Sequence, residues 1–189
     1  MPANFKQESI PLREVANEVC GLNEKVAENT SILQAYMGRN ILINANFHAD
    51  AVVNQRGFGG GIPANGVYGY DRWKGTATSS EIAQVVEAGN YKPSSTYTLS
   101  GVNVVTTQTT SPASGHWQID VPASADLIQL ELGSHATEFE NKLPAETLLN
   151  CKRFFRISES TGQAAEFAHD MRATPTESGA GPYQYDAEL

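Results

Sequence analysis

The sequence has little that would support a disulfide framework or a membrane span. Its 189 residues include only two cysteines, Cys20 and Cys151, which lie far apart in segments of different character. This spacing argues against both a disulfide framework and a cysteine metal site. No apolar run approaches the roughly 18 residues of a membrane-spanning helix, and the polar N-terminus lacks the apolar core of a signal peptide. We expect a soluble protein that is not exported by a cleaved signal and not inserted into a membrane.

Basic residues are also scarce. Thirteen lysines and arginines stand against 21 aspartates and glutamates, which gives a formal net charge of −8. This balance argues against nucleic-acid binding, because a polyanion is attracted by an excess of positive charge. Only 18% of the residues are charged, and the 16 glycines and 9 prolines suit a strand-rich globular domain better than a disordered tail.

Motifs for catalysis or cofactor binding are missing as well. The glycine-rich stretch Gly57–Gly61 lacks the Gly-Lys-Ser/Thr sequence of a phosphate-binding loop, so we interpret it as part of a long flexible loop. The four histidines are too dispersed in sequence to indicate a metal site, namely His48, His116, His135 and His169. The sequence therefore predicts no catalytic residues, no metal and no cofactor.

Paired carboxylates are the remaining catalytic possibility, because a glycan hydrolase needs two of them about 5 to 10 Å apart. The candidates are Asp71, Glu131, Glu138 and Glu140. Glu131 alternates with leucines, so we place it on the solvated face of a strand, and we interpret Glu138 and Glu140 in the same way. Asp71 is interpreted as a salt-bridged residue where a strand begins. Hydrolysis is therefore the least favoured function.

The N-terminal region has the apolar spacing of a coiled coil. Between Pro11 and Gly38, a stripe of residues recurs at alternating intervals of three and four, which is a heptad pattern. Its members are Leu12, Val15, Val19, Leu22, Val26, Asn29, Leu33 and Tyr36. Mixed β-branched and leucine residues at both seam positions favour a trimer, with Asn29 setting the register. The alternative is an amphipathic helix packed on its own domain.

The residues after Gly38 change to the short alternating patterns of strands separated by turns. We predict an N-terminal stalk over residues 1–38 and an antiparallel β-sandwich head over residues 39–189. The predicted strands are Ile41–Ile43, Val52–Val53, Arg72–Lys74, Ile82–Glu87, Thr96–Leu99, Val102–Gln108, Trp117–Val121, Leu127–Leu132 and Arg153–Ile157. A short helix is predicted to start at Pro144, and residues 173–189 are expected to form irregular or edge structure.

Aromatic residues at turn boundaries are the best candidates for ligand binding. Tyr68, Tyr70, His116 and Trp117 could stack on the apolar face of a sugar ring while neighbouring polar groups bond its hydroxyls. For Trp117, as for Trp73, packing in the core is the favoured interpretation and a ligand platform is the alternative.

Several segments, in order, resemble a family of bacteriophage tail-fibre and tail-appendage domains. They are Asn40–Phe47, Asn54–Gly57, Tyr70–Trp73, Leu127–Ser134, Ala136–Glu140 and Leu148–Phe155. The resemblance covers about residues 40–156. It implies a jelly-roll-type β-sandwich similar to carbohydrate-binding modules, carried as a homotrimer on a phage particle, made in the host cytoplasm, and without enzymatic activity. It also implies that Asp71, Arg72 and Trp73 are core and corner residues and that Glu131 lies at the surface.

Two functions follow from this resemblance as expectations. In the first, the stalk attaches a trimeric appendage to other virion proteins, and the head binds the host surface, with a glycan as the expected ligand. In the second, the protein is a structural adaptor, capsid fibre or decoration protein that contacts only other virion proteins.

Overall fold

The computed structural model of the protein describes Val19, Leu22 and residues 39–189. The chain divides into two units, residues 1–39 and residues 40–189. In the first unit, Val19 and Leu22 lie in a helix and are 50% and 60% exposed. The other predicted stalk residues lie outside the described residues, namely Leu12, Val15, Val26, Asn29, Leu33 and Tyr36. The coiled coil therefore stays a prediction.

The second unit is mainly β. Its strands are β1 (Lys74–Gly75), β2 (Glu81–Val86), β3 (Thr96–Val102), β4 (Thr107–Thr110), β5 (Trp117–Pro122), β6 (Asp126–Leu132), β7 (Phe155–Ser158), β8 (Thr176–Ser178) and β9 (Tyr183–Asp186). They form three antiparallel sheets with the orders β1-β2-β5, β4-β3-β6 and β7-β9-β8. This unit also has two short helices. Helix α1 (Pro144–Cys151) lies between β6 and β7 in the sequence, and α2 (Ala164–Phe167) lies between β7 and β8.

The first two sheets share one hydrophobic core. β5 alternates strictly between buried and exposed residues, so Trp117, Ile119 and Val121 all point inward. They meet Ile128 and Leu130 of β6, which are fully buried. The predicted strands around β2, β5 and β6 and the helix at Pro144 are confirmed, because alternation and a proline at the first helical turn are strong local signals.

The predicted strands Ile41–Ile43 and Val52–Val53 are wrong. Both segments are extended, but side-chain amides take the place of a partner strand. The Asn44 amide accepts a hydrogen bond from Val53 N at 2.7 Å and donates one to Val53 O at 2.9 Å. Gln84 forms the equivalent pair with the backbone of Ile43, at 2.8 and 2.7 Å. Buried backbone groups must be paired, and here two amide side chains pair them.

The remaining strand predictions need smaller corrections. Val102–Gln108 is not one strand, because Asn103 adopts a left-handed conformation (φ 56°) and turns the chain between β3 and β4. Residues 173–189 are irregular or edge structure only in part: β8 is an edge strand, but β9 is the central strand of the third sheet, and its Tyr185 is fully buried. Tyr185 packs with Met171 and Phe167 in a small second core that local composition does not reveal.

Glu131 does not lie on a solvated face, as both the alternation and the resemblance had implied. It is 4% exposed, and its carboxylate accepts hydrogen bonds from Thr137 N (2.6 Å), Thr137 Oγ1 (2.7 Å) and Gln129 Nε2 (3.0 Å). The segment after β6 therefore folds back over this face of the sheet and satisfies the carboxylate with hydrogen bonds.

Candidate functional site

An open groove of about 510 Å³ lies between the glycine-rich loop and the turn that joins β5 to β6. Its volume falls within the range of about 300 to 1,000 Å³ typical of small-molecule sites. We call it the aromatic groove after four rings that line it, those of Phe47, Phe58, Tyr70 and Trp73. The rest of the lining consists of Gly61, Ile62, Pro63, Ile82, Ala123, Ser124, Ala125 and Asp126.

The four rings hold one another in place. Phe47 contacts Trp73 edge-on, with centroids 5.4 Å apart, and it contacts Tyr70 at 5.7 Å. Phe58 meets Tyr70 nearly perpendicularly at 5.2 Å. Such edge contacts align the positive rim of one ring with the negative face of the next. Trp73 is 1% exposed and forms the floor, whereas the other three rings are half-buried and present part of their surface to the groove.

Backbone hydrogen bonds fix the segments that carry these rings. Phe47 N donates to Asp126 Oδ1 at 2.7 Å, and the indole Nε1 of Trp73 donates to Asn44 O at 2.8 Å. Trp73 N donates to Tyr70 O at 2.9 Å, which closes the tight turn between these two groove residues. The groove is therefore built from three separate parts of the chain and is largely pre-formed.

Two glycines shape the loop wall. A Cβ at Gly69 would lie 2.6 Å from Pro63 Cγ and 2.9 Å from a ring carbon of Phe58, both of which line the groove. A Cβ at Gly75 would lie 2.1 Å from the carbonyl oxygen of Pro63. All three distances are shorter than a van der Waals contact, so only glycine at these two positions lets the loop pack this closely. The loop that was predicted to be flexible is thus held close to the core.

The polar side of the groove is formed by Asp126 and Ser124. Asp126 Oδ1 accepts hydrogen bonds from Phe47 N and Leu127 N, both at 2.7 Å. Its Oδ2 lies 3.4 Å from Nε2 of His48, whose side chain is 68% exposed. A carboxylate and a hydroxyl beside aromatic rings can bond the hydroxyl groups of a ligand whose apolar face stacks on the rings.

Of the four ligand-binding residues predicted from the sequence, the groove contains Tyr70. Tyr68 lies elsewhere: its hydroxyl donates to Leu189 O at 2.7 Å, and its ring lies 5.1 Å from the guanidinium carbon of Arg56. Burial is the largest cause that raises the pKa of Tyr68 to about 12, followed by the negative charge of Glu188. These contacts bind Tyr68 to the end of the chain and away from the groove.

His116 and Trp117 lie at the other end of β5 from the groove. Trp117 and Ala123 are six residues apart along an extended strand, which is about 20 Å. Trp117 is only 9% exposed and packs edge-on against Tyr91 and Tyr97, so it belongs to the core and its listing as a possible ligand-binding residue is wrong. His116 is exposed, and its Nδ1 accepts a hydrogen bond from Ala88 N at 3.2 Å.

Sequence reasoning missed Phe47, Phe58 and Asp126. Phe58 carried a usable signal, because a large aromatic ring between Gly57 and Gly59 has no helix or strand to bury it. Phe47 and Asp126 carried none, since they meet through a hydrogen bond between residues 79 positions apart.

A second concentration of functional groups is the buried ion cluster of Arg56, Arg72, Asp71, Asp186 and Glu188. Arg72 and Glu188 form an ion pair in which the side chains are 2% and 3% exposed. Arg56 donates to Asp186 Oδ2 at 2.9 Å and lies 3.6 Å from Glu188 Oε1. Asp71 is fully buried and accepts a hydrogen bond from Gln55 Nε2 at 2.6 Å.

The two carboxyl groups of the cluster that have shifted pKa values, those of Asp71 and Glu188, are buried. Burial raises the pKa of Asp71 from 3.8 to about 6 and also raises the pKa of Glu188, although Arg72 and Arg56 oppose the second shift. Burial likewise raises the pKa of the nearby Cys151 thiol. Shifted values occur at active sites, but a substrate cannot reach groups this deeply buried. The Arg72 guanidinium also lies 3.5 Å from the ring centre of Phe154, so we interpret the cluster as structural.

Two further properties concern the described residues as a whole. Over Val19, Leu22 and residues 39–189, there is no group of three or more histidine, cysteine, aspartate or glutamate side chains placed to hold a metal ion. In that same part of the chain, no helix has the length and hydropathy to cross a membrane.

The comparisons with known proteins leave the family open. The chain matches no protein-family model, and no curated protein or solved structure is significantly similar to it.

Proposed function

We propose that this protein is a non-enzymatic binding protein whose aromatic groove takes a glycan. The observation that carries the proposal is the arrangement of three half-buried rings, Phe47, Phe58 and Tyr70, beside the carboxylate of Asp126. The C–H groups on the face of a sugar carry partial positive charge and are attracted to the negative face of an aromatic ring. Its hydroxyls are donors that a carboxylate accepts.

The proposed setting is a trimeric appendage on a phage particle, with a jelly-roll-type head and a coiled-coil stalk. It is supported by the segments between residues 40 and 156 that resemble bacteriophage tail-fibre and tail-appendage domains, and by the heptad stripe that starts at Leu12. A single shallow groove gives weak binding, of order millimolar, which corresponds to about 4 kcal/mol. Three grooves on one trimer, repeated over many copies, can hold a particle to a cell through avidity.

Changing Tyr70 to Ala is expected to weaken glycan binding by about tenfold, because removing one stacked ring costs about 1 to 2 kcal/mol. The measurement is binding of the full chain to a glycan array and to host cells, followed by titration of the strongest ligand. Tyr70→Phe keeps the ring and should retain most of the affinity. His116→Ala, which changes an exposed residue far along β5, should leave binding unchanged.

Absence of binding to every glycan and every host cell by the intact protein would refute the proposed function. Equal losses from Tyr70→Ala and His116→Ala would place the binding site outside the groove.

Changing both Val19 and Leu22 to Asp is expected to reduce the mass in solution from three chains to one. These residues are helical and 50% and 60% exposed in the single chain, and the heptad pattern places them at adjacent seam positions. Light scattering on the full chain measures the mass. Asn17→Asp, at a position outside the stripe, is the control and should leave the mass unchanged. A trimer that survives the double change would show that the heads drive assembly.

A structural role in the virion is the second candidate. It is favoured by two strongly exposed leucines, Leu143 just before α1 and Leu149 within it, which are 74% and 66% exposed. Two exposed leucines in one short segment offer apolar surface that a contact with another virion protein would cover. Binding of the recombinant protein to particles that lack it, lost when both leucines are changed to Ser, would support this role.

A further inference from the structure

We infer that the aromatic groove selects uncharged sugars and that the carboxylate of Asp126 is the group that rejects acidic ones. This inference rests on the proposed function, because it names the class of glycan that the same groove takes.

The charge around the groove is one-sided. Asp126 is the charged residue of its lining, which within residues 39–189 includes no lysine or arginine. Sugars with a carboxylate, phosphate or sulfate group are anionic at neutral pH. In this groove such a group meets a like charge and no cation that could neutralise it. The net charge of −8 on the chain adds long-range repulsion of the same sign.

Five lysine and arginine side chains of residues 39–189 are engaged in other contacts. Each of three guanidinium groups is paired with a carboxylate, in the pairs Arg56–Asp186, Arg72–Glu188 and Arg172–Glu87. The ammonium groups of Lys74 and Lys142 donate to the carbonyl oxygens of Leu189 and Asn40, at 3.2 and 3.0 Å. Bringing one of these groups into the groove would leave a carboxylate or a carbonyl without its partner.

Asp126 has a free oxygen for a sugar hydroxyl. The two hydrogen bonds that hold the carboxylate in place, from Phe47 N and Leu127 N, both end at Oδ1. Oδ2 lies 3.4 Å from Nε2 of the exposed His48 and accepts neither of these backbone hydrogen bonds. A hydroxyl can donate to Oδ2, whereas an ionised acid group on a sugar has no proton to donate. The same atom therefore favours neutral sugars and disfavours acidic ones.

The test uses matched glycans that differ only in charge. Neutral oligosaccharides and their counterparts oxidised to uronic acids at C6 are titrated against the full chain. The buffer has pH 8, at which ordinary imidazoles are neutral, and low ionic strength, at which charge repulsion is strongest. We expect each neutral glycan to bind at least about tenfold more tightly than its acidic counterpart, the size of effect that one like charge produces in a partly exposed site.

Two variants change the charge in opposite ways. Asp126→Asn keeps the size of the side chain and an oxygen for both backbone hydrogen bonds, and it should reduce the preference to below about threefold. Ser124→Lys adds a cation to the groove lining and should raise the affinity for the acidic glycans. The backbone carbonyl oxygen of Ser124 accepts a hydrogen bond from Asn103 Nδ2, and replacing the Ser124 side chain leaves this bond in place. Ser114→Lys makes the same charge change at an exposed site just before β5, at the end of that strand away from the groove, and should not alter the preference.

The outcomes separate the inference from the proposed function. If neither glycan of any pair binds, the proposed function fails. If the unmodified protein binds acidic glycans as well as neutral ones, the function stands and the inference is wrong. If the preference exists but Asp126→Asn retains it, another group determines the selectivity and the role of Asp126 is refuted.

Discussion

Changing Glu188 to Gln is expected to lower the free energy of unfolding by about 3 to 5 kcal/mol, the cost of leaving one partner of a buried ion pair uncompensated. Glu188 is paired with Arg72 and lies 3.6 Å from Arg56 Nη2, and the Glu188 side chain is 3% exposed. Glutamine keeps the shape but removes the negative charge between two buried guanidinium groups. The measurement is urea denaturation at pH 7, because urea, unlike guanidinium, does not screen charges.

A double-mutant cycle tests whether the pair itself carries this effect. Arg72→Met should also cost several kcal/mol, but the double variant should lose much less than the sum, because it removes both charges. Asp170→Asn is the matched control, since its pair with Arg156 is exposed and should contribute less than about 1 kcal/mol. Costs that simply add would show that Arg72 and Glu188 do not depend on each other.

The unmodified protein is expected to become less stable by about 2 kcal/mol as the pH rises from 4 to 7. Burial raises the pKa of Asp71 from 3.8 to about 6, so between these values the folded state binds a proton that the unfolded state releases. Unfolding therefore releases protons in this window, and the free energy of unfolding falls with rising pH.

Asp71→Asn should flatten this dependence, because its side chain does not titrate. The comparison is made between slopes of stability against pH, since the new amide would face Gln55 Nε2 as a second donor and alter the absolute stability. Asp170→Asn, at an exposed site, should keep the original slope. Stability that rises from pH 4 to 6 in the unmodified protein would contradict the assignment to Asp71.

The ion cluster and the aromatic groove are linked through one turn. Arg72 lies between Tyr70 and Trp73, and its guanidinium also donates to Val85 O of β2. Arg72 has a left-handed backbone conformation (φ 74°), which is unfavourable for a residue with a side chain and persists only where the surroundings hold it. The buried ion pair with Glu188 provides this restraint, so we expect loss of the pair to weaken ligand binding as well as stability.

Sequence patterns predicted secondary structure correctly where the burial and conformation of each residue depend on its immediate neighbours in the chain. The alternation in β5 and the proline at the start of α1 are of this kind. Tyr70 was found in the same way, as an aromatic residue at a turn. The mainly β, antiparallel character of residues 40–189 therefore follows from period and turn chemistry alone.

The wrong predictions share a physical cause. The segments at Ile43 and Val53 look like strands, but their backbone groups pair with the amides of Gln84 and Asn44, which periodicity does not reveal. Glu131 alternates like a surface residue, yet a later segment covers it and supplies its hydrogen bonds. In each case the deciding partner is a polar side chain or a segment that lies outside the local pattern.

The sequence by itself determined a mainly β unit after residue 38, its principal strands and a net negative charge, because these depend on composition and short-range spacing. Only the tertiary structure decided where function can lie. It placed Trp117 in the core, drew Tyr68 to Leu189, and joined Phe47, Tyr70 and Asp126 in one groove. These placements depend on hydrogen bonds and ring contacts between residues far apart in the chain, and such contacts exist only once the sheets have packed.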